Sequence, residues 1–268
     1  MMVADIRKIQ QEIDKINQDT TDIVLKAQDI YQRYLSLLGA SVSRQLILSS
    51  YHLCTQTYPA AFLQLPLHQQ QFLQQELQNH SQQLQTALEH ILDQLDPLLP
   101  AQAIDSQTIN SQTVDSQALE PQAILMVLQN IEQAIFVALR DQSAATNELL
   151  QKNNIIPTMA IDLLFEVAAK AAEHGRSITT TPHLITALMD DATEAQSDAR
   201  HGPVVAIFLQ LSDLEFMDTA VMQQRHQIRQ LWQQLKALHE IFTQKQQEKI
   251  VAEATAAWRA SWVVSQDF

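Results

Sequence analysis

Residues 6–37 read IRKIQQEIDKINQDTTDIVLKAQDIYQRYLSL, and this stretch decides the fold. Apolar or small residues recur at alternating steps of three and four, and most residues between them are charged or carry amides. Such heptad spacing predicts one long helix that packs lengthwise on another helix through a narrow seam. The sequence leaves open whether that second helix belongs to the same chain or to another copy. The seam positions are Ile6, Ile9, Ile13, Ile16, Thr20, Ile23, Ala27, Ile30, Tyr34 and Leu37.

Helical spacing continues beyond this seam. We expect a break or a kink in the first helix at Gly39, a second helix over residues 42–57 and a third over residues 67–98. Pro59 and Pro66 bracket a connector between the second and third helices, because proline stops a helix at the residue before it.

The second half of the chain is also expected to be helical. Ser212 and Glu215 fit a capping box, S-x-x-E, that opens a last long helix. No stretch has a convincing strand pattern, so the predicted fold class is all-α, with long helices in coiled-coil or bundle packing. The predicted helices span residues 121–150, 160–174, 182–189, 203–211 and 212–264.

Residues 104–122, IDSQTINSQTVDSQALEPQ, are close to a repeat with a period of five. A period of five fits neither helix nor strand. The pattern also departs from that of pentapeptide-repeat solenoids, and about four or five units are too few to stack a core. We therefore predict a flexible linker at 99–122, which joins a long-helix module at 1–98 to a helical bundle at 123–268.

The composition excludes several kinds of nucleotide-binding and catalytic site. The chain has only three glycines, Gly39, Gly175 and Gly202, and they are far apart. A phosphate-binding loop, a dinucleotide-binding turn and a nucleophile elbow each need neighbouring glycines, so none of them is present. The net charge of −13 opposes non-specific binding to nucleic acid and to anionic membranes. We expect no nucleic-acid partner and no cofactor.

Cys54 is the single cysteine, which excludes an internal disulfide and predicts a buried, unreactive thiol. The amino-terminal sequence lacks an apolar leader, and no run of about 18 apolar residues occurs. These features predict a cytoplasmic protein without an integral membrane segment. Residues 45–75 contain no Asp, Glu, Lys or Arg. Because Pro59 and Pro66 interrupt this stretch, we expect it to face a core.

A metal-dependent or small-molecule enzyme is the alternative from another class of function. The nine histidines form no His-x-x-x-His or Glu-x-x-His pair, so the usual helical metal motifs are absent. His174, His183 and Asp190 cluster near predicted loops, and they are the candidates for such a site.

Residues 168–191, AAKAAEHGRSITTTPHLITALMDD, join two Ala-containing stretches through Gly175. His183 and Leu184 follow, and Ala187 then comes one helical turn later. The segment resembles the helix–loop–helix of the Clp ATPase N-terminal domain, although the spacing before His183 differs by one residue. This resemblance implies a helical module that binds adaptors or substrates, and no ATPase activity.

The carboxyl-terminal sequence AAWRASWVVSQDF places Trp258 and Trp262 one helical turn apart and ends at Phe268. Exposed aromatic residues mark partner sites, whereas aromatic residues that fold back onto their own domain serve its core. The favoured function is a non-enzymatic scaffold or adaptor that acts through helix–helix contacts with protein partners, self-association included. The predicted contact residues are Ile9, Ile16, Ile23, Ile30, Trp258, Trp262 and Phe268.

Overall fold

The computed structural model describes residues 2–92, 120–158, 165, 183–187 and 204–264. Within these ranges the chain forms six α-helices, one π-helical turn (Leu53–Thr57) and one two-stranded antiparallel sheet. The predicted all-α class, with long helices packed against each other, is confirmed. The α-helices are α1 (Met2–His52), α2 (Pro59–Gln64), α3 (Leu67–Glu89), α4 (Pro121–Lys152), α5 (Leu211–Met217) and α6 (Thr219–Val264), and the strands are β1 (Leu184–Ala187) and β2 (Val204–Ile207).

The chain divides into two compact units. The first unit comprises Met1–Gln32, Leu92–Ile131 and Gln224–Phe268, and the second comprises Arg33–Ile91 and Glu132–Gln223. Each unit therefore takes residues from both sides of the predicted linker. Because most of that linker lies outside the described residues, the predicted division into two modules and a flexible linker stays a prediction.

The buried stripe of α1 follows the predicted seam at first and then departs from it. Leu37 is 36% exposed, and Leu38 is fully buried in its place. A straight α-helix drifts by roughly 20° per heptad relative to a 3.5-residue repeat, so its inward face shifts by one residue after several turns. The seam prediction is wrong at Leu37 for this reason. Burial confirms the seam at Ile13, Ile16, Thr20, Ile23, Ala27 and Tyr34.

In the first unit, α1 packs against α6. Ile13 and Ile16 form a buried cluster with Phe242, and Ile9 and Leu238 pack against this cluster. Aliphatic side chains at successive turns of one helix thus meet the matching turns of the other. This packing places the helix partner of this part of the seam within the same chain.

Two polar contacts fix the direction of the same helix pair. Lys245 Nζ lies 2.9 Å from a carboxylate oxygen of Glu12. Further along α1, the Tyr31 hydroxyl accepts a hydrogen bond of 3.1 Å from Trp232 Nε1. Residue numbers rise along α1 as they fall along α6, so the two helices are antiparallel.

Gly39 lies inside α1, so the helix break predicted there is wrong. In the second unit, a Cβ atom at this position would lie 3.1 Å from Cγ and 3.4 Å from Cα of Gln85 in α3. Glycine costs about 1 kcal/mol relative to alanine inside a helix. Here the missing side chain lets two helix backbones approach closely, which offsets that cost.

The connector predicted between Pro59 and Pro66 contains a helix. Pro59 is the first residue of α2, where its fixed φ angle is suitable and its missing N–H is not needed. The π-helical turn Leu53–Thr57 precedes it and is closed by a hydrogen bond of 2.8 Å from the Tyr58 N–H to the Leu53 carbonyl. The chain therefore turns from α1 to α3 through two short helical segments.

Strands β1 and β2 replace two predicted helices. The helices predicted over residues 182–189 and 203–211 are wrong in their described parts, which pair as an antiparallel hairpin with Leu184 opposite Ile207. β1 also replaces the second helix that the Clp-like resemblance implies. The sequences LITA and VVAI are rich in β-branched residues, which suit a pleated and half-buried surface.

Side chains from outside the sheet complete the free edge of β2. The Asn147 amide donates to the Ile207 carbonyl at 2.7 Å, and its oxygen accepts from the Ile207 N–H at 2.9 Å. The Tyr58 hydroxyl accepts from the Val205 N–H at 2.9 Å and donates to the Val205 carbonyl at 3.4 Å. These bonds satisfy backbone groups that a two-stranded sheet leaves open.

The last long helix begins after Asp218 rather than at Ser212. The predicted capping box is wrong, because Glu215 is buried and accepts a hydrogen bond of 2.7 Å from the Tyr34 hydroxyl. The Asp218 carboxylate caps α6 instead, by accepting a hydrogen bond of 3.0 Å from the Ala220 N–H. The Glu215 side chain, which the local sequence pattern assigns to a helix cap, therefore makes a long-range contact with Tyr34 instead.

Candidate functional site

The four predicted contact residues of the seam lie in α1. Ile16 and Ile23 are 7% and 8% exposed, whereas Ile9 and Ile30 are half-buried. Ile16 belongs to the cluster around Phe242 of the same chain. This burial gives Ile16 a structural role, and a partner-binding role of the seam stays a prediction.

In the first unit, Trp258 of α6 lies beyond the described part of α1. Lys245 of α6 lies opposite Glu12 of α1. The helical rise places Trp258 about 20 Å beyond Lys245, whereas Met2 is only about 15 Å from Glu12 in that direction. Among the described residues, no turn of α1 therefore lies beside Trp258, whereas Val251, about 9 Å beyond Lys245, is level with the first turns of α1.

The carboxyl-terminal turns of α6 carry an apolar stripe, which we call the carboxyl-terminal ridge: Val251, Ala254, Thr255 and Trp258. The spacing of three, four and seven residues places them on one helix face. Val251 is 54% exposed and Trp258 is 69% exposed. Thr255 Oγ1 donates to the Val251 carbonyl at 2.8 Å, so its hydroxyl hydrogen bonds within its own helix. The ridge is therefore mainly hydrocarbon and indole surface.

The other two predicted contact residues near the chain's end are not fully described. Trp262 lies in the last turn of α6, but its side chain is outside the described part of the structure, as is all of Phe268. Their contribution to the ridge stays a prediction.

A second apolar surface is a cleft in the second unit, formed by the end of α1, the π-helical turn, α2 and α3. Its volume is about 420 Å³. None of its lining side chains carries a formal charge, so we call it the charge-free cleft. The lining residues are Ile47, Ser50, Tyr51, Cys54, Thr55, Phe62, Leu73, Gln74, Leu77 and Gln78.

The hydroxyl and thiol groups in the cleft wall are neutral. Ser50 Oγ donates to the Leu46 carbonyl at 2.8 Å, and Thr55 Oγ1 donates to the Tyr51 carbonyl at 2.8 Å. Cys54 is buried as predicted, and burial raises the pKa of its thiol to about 11. The thiol is therefore protonated near neutral pH and is a poor nucleophile.

Large apolar side chains of the same segment are exposed. Leu48, Leu63, Leu67 and Phe72 are each more than half exposed. The expectation that residues 45–75 face a core is wrong for these four. Exposed apolar side chains in a stretch without charge are typical of a contact surface.

The sequence predicts a contact surface around Trp258, whereas it does not predict the charge-free cleft. The signal for the ridge is a pair of tryptophans one helical turn apart, Trp258 and Trp262. The signal for the cleft is the absence of charge over residues 45–75, combined with Pro59 and Pro66. Together they indicate a reversal of chain direction between two helices, with no charged side chain on its surface.

The alternative site at His174, His183 and Asp190 is described only at His183. This residue has a φ angle of 61° and is 1% exposed, and its burial lowers the pKa of the imidazole. Neither ring nitrogen has a hydrogen-bond partner among the described residues. Among all the residues that the structure describes, no group of three or more His, Cys, Asp or Glu residues is placed to hold a metal ion.

Helix α4 is long and apolar enough to cross a bilayer, by length and composition alone. The core helix of a soluble protein meets the same criteria. Ser143 Oγ accepts from the Leu209 N–H at 3.0 Å, and Asn147 binds the Ile207 backbone. These buried contacts tie residues 132–152 of α4 to the rest of the second unit, and the absence of a membrane segment stays a prediction.

The chain matches no protein-family model, no curated protein and no solved structure. Its function is therefore inferred from its surfaces alone.

Proposed function

We propose that this chain is a non-enzymatic cytoplasmic scaffold or adaptor that binds a protein partner through helix–helix contacts. The exposure of Trp258 on the carboxyl-terminal ridge carries this proposal. Tryptophan is enriched among the residues that supply most of the binding energy in protein interfaces. A stripe with this spacing also suits a second helix laid along it.

The surroundings of the ridge support the same function. Glu248 and Arg259 lie about 60° and 80° from Val251 around the helix, next to the apolar stripe. Charges of both signs therefore border the apolar stripe. An apolar centre with a polar rim is the usual anatomy of a protein interface.

The packing of α6 also favours binding by a preformed surface. Phe242 is buried against Ile13 and Ile16, and this anchors the helix before the ridge begins. The ridge residues thus lie on a continuous helix before any other protein binds. A partner then loses less free energy to ordering this surface than it would with an unstructured segment.

The test is a site-specific photo-crosslink. A benzophenone-bearing amino acid replaces Trp258 in the full chain, in the cells that produce it, and crosslinked products are resolved by mass. The matched control carries the same amino acid at Ala260, an exposed position about 160° away around the helix. We expect a discrete product from position 258 and none from position 260.

Loss of the position-258 product on adding Val251→Lys would assign the contact to the ridge. A product of twice the chain mass would identify the partner as a second copy. Equal labelling at positions 258 and 260, or no discrete product at 258, would contradict the proposal. Trp258→Ala should leave the thermal unfolding midpoint nearly unchanged, because an exposed side chain adds little to the core.

A further inference from the structure

The charge-free cleft has the dimensions of a small-molecule site. Its volume of about 420 Å³ falls within the range of roughly 300–1,000 Å³ that is usual for ligand pockets. Tyr51 and Phe62 line it together with Leu73 and Leu77. Such sites are mostly apolar and aromatic, with a few polar groups that set the orientation of the ligand.

The distribution of charge determines the class of ligand. The chain carries a net charge of −13, yet no charged residue occurs in residues 45–75 and none lines the cleft. A charged ligand would lose its hydration here without gaining a counter-charge. The neutral amides of Gln74 and Gln78 are the side-chain groups on α3 that remain for hydrogen bonding with a ligand.

The walls of the cleft are fixed by the protein itself. The Gln70 amide donates to the carbonyls of Phe62 at 3.2 Å and Leu65 at 3.0 Å, which ties α2 to α3. The π-helical turn Leu53–Thr57 supplies Cys54 and Thr55 to the opposite wall. Turns of this kind inside helices frequently occur at functional sites. A preformed site binds its ligand without the cost of ordering the wall.

We propose that the charge-free cleft binds one neutral, apolar small molecule per chain. The hydrocarbon or aromatic body of the ligand lies against the aromatic and leucine side chains, and a neutral polar group of the ligand faces the glutamine amides. This site is separate from the carboxyl-terminal ridge and does not depend on the scaffold function.

The test uses N-phenyl-1-naphthylamine, a neutral fluorophore whose emission rises in apolar surroundings, titrated into the purified full chain. We expect saturable binding of one probe per chain. Thr55→Phe fills the cleft from the π-helical turn, and Gln56→Phe adds the same ring at the adjacent exposed position that does not line the cleft. We expect Thr55→Phe to weaken binding by about tenfold or more and Gln56→Phe to leave it unchanged.

A second matched pair protects the test against misfolding of the filled variant. Gln74→Glu places a carboxylate at the cleft, and Gln71→Glu adds the same charge at an exposed position on α3 that does not line it. Only Gln74→Glu should weaken probe binding. Unsaturable binding, one probe per two chains, or equal effects within a folded pair would overturn the proposal. Trp258→Ala should bind the probe as the unchanged chain does.

Discussion

The helix pair of the first unit and the hairpin of the second unit are held in place by different physical means. Between α1 and α6, apolar side chains at successive turns share the burial, as Ile13, Ile16 and Phe242 show. The hairpin also buries Ile185 and Ala206 against Phe165, but the edge of β2 depends on two hydrogen bonds each with Asn147 and Tyr58, which are 60 and 147 residues away from their partners.

This difference explains why the two regions respond differently to change. The free energy of apolar burial is non-directional and roughly proportional to the buried area. Many side chains therefore each contribute a small part of the stability of a helix pair. A backbone hydrogen bond to a side chain is directional, and losing it leaves a buried polar group without a partner. We expect a charge to disrupt the first region and the loss of one amide to disrupt the second.

The largest effect is expected for Ile16→Lys. A lysine at this buried position would place its charge beside Phe242, with the loss of hydration uncompensated. The free energy of unfolding should fall by more than about 3 kcal/mol, measured by urea denaturation with circular dichroism. Gln18→Lys, at an exposed position two residues away, is the matched control and should change it little.

If Ile16→Lys instead leaves the fold intact and only lowers the mass of an assembly, α1 pairs between chains. That result would contradict the assignment of the α1–α6 contact to the core, because the seam would then be a contact surface between chains.

The next effect is expected for Asn147→Leu. This change removes two hydrogen bonds and leaves the Ile207 N–H and carbonyl unpaired in a buried site. The free energy of unfolding should fall by about 2–4 kcal/mol, measured by the same denaturation. Gln133→Leu, at an exposed position of α4, should have little effect. Equal effects of the two variants would show that the amide does not hold the hairpin.

A smaller effect is expected for Tyr58→Phe. The ring remains, but Val205 loses its hydroxyl partner at a partly buried position. The free energy of unfolding should fall by about 1 kcal/mol. Combined with Asn147→Leu, the loss should be less than the sum of the two, because both side chains hold the same strand. Strict additivity would mean that the two ends of β2 are independent.

The extent of successful prediction follows the same division. Burial at Ile13, Ile16 and Ile23 and the start of α4 at Pro121 follow from spacing and from the local preferences of proline. The hairpin does not, because its edge is completed by Tyr58, which no local pattern associates with residues 204–207. Short apolar runs read equally well as helix or strand.

The same limit applies to the candidate surfaces. The exposed stripe around Trp258 is a local property of one helix, so sequence spacing predicts it. The charge-free cleft depends on how Phe62 and Leu73 come together after two short helices, and spacing alone does not place them. The sequence favours a break or a kink at Gly39, because the close approach to Gln85 exists only in the folded chain.

The smallest effect is expected for the pH dependence of stability. Burial lowers the pKa of His183 below its ordinary value of 6.5, so the unfolded chain binds a proton more readily than the folded chain does. Stability from this residue is therefore present above that ordinary value and is lost as the pH falls through it toward the folded pKa. His183→Asn removes the titration, and asparagine tolerates the positive φ angle.

The measurement is the free energy of unfolding of both proteins between about pH 7 and about pH 5, where histidine titrates. The decline should be shallower in His183→Asn. A decline of the same steepness in both proteins would show that His183 becomes protonated without cost in the folded chain.

The side-chain bonds along β2 also bear on solubility. An unpaired strand edge is a template on which another chain adds a strand, and proteins with open edges aggregate by this route. Tyr58 and Asn147 occupy the outward N–H and carbonyl groups of Val205 and Ile207, so this edge offers no template. Two side chains thereby protect this edge of the hairpin from intermolecular sheet growth.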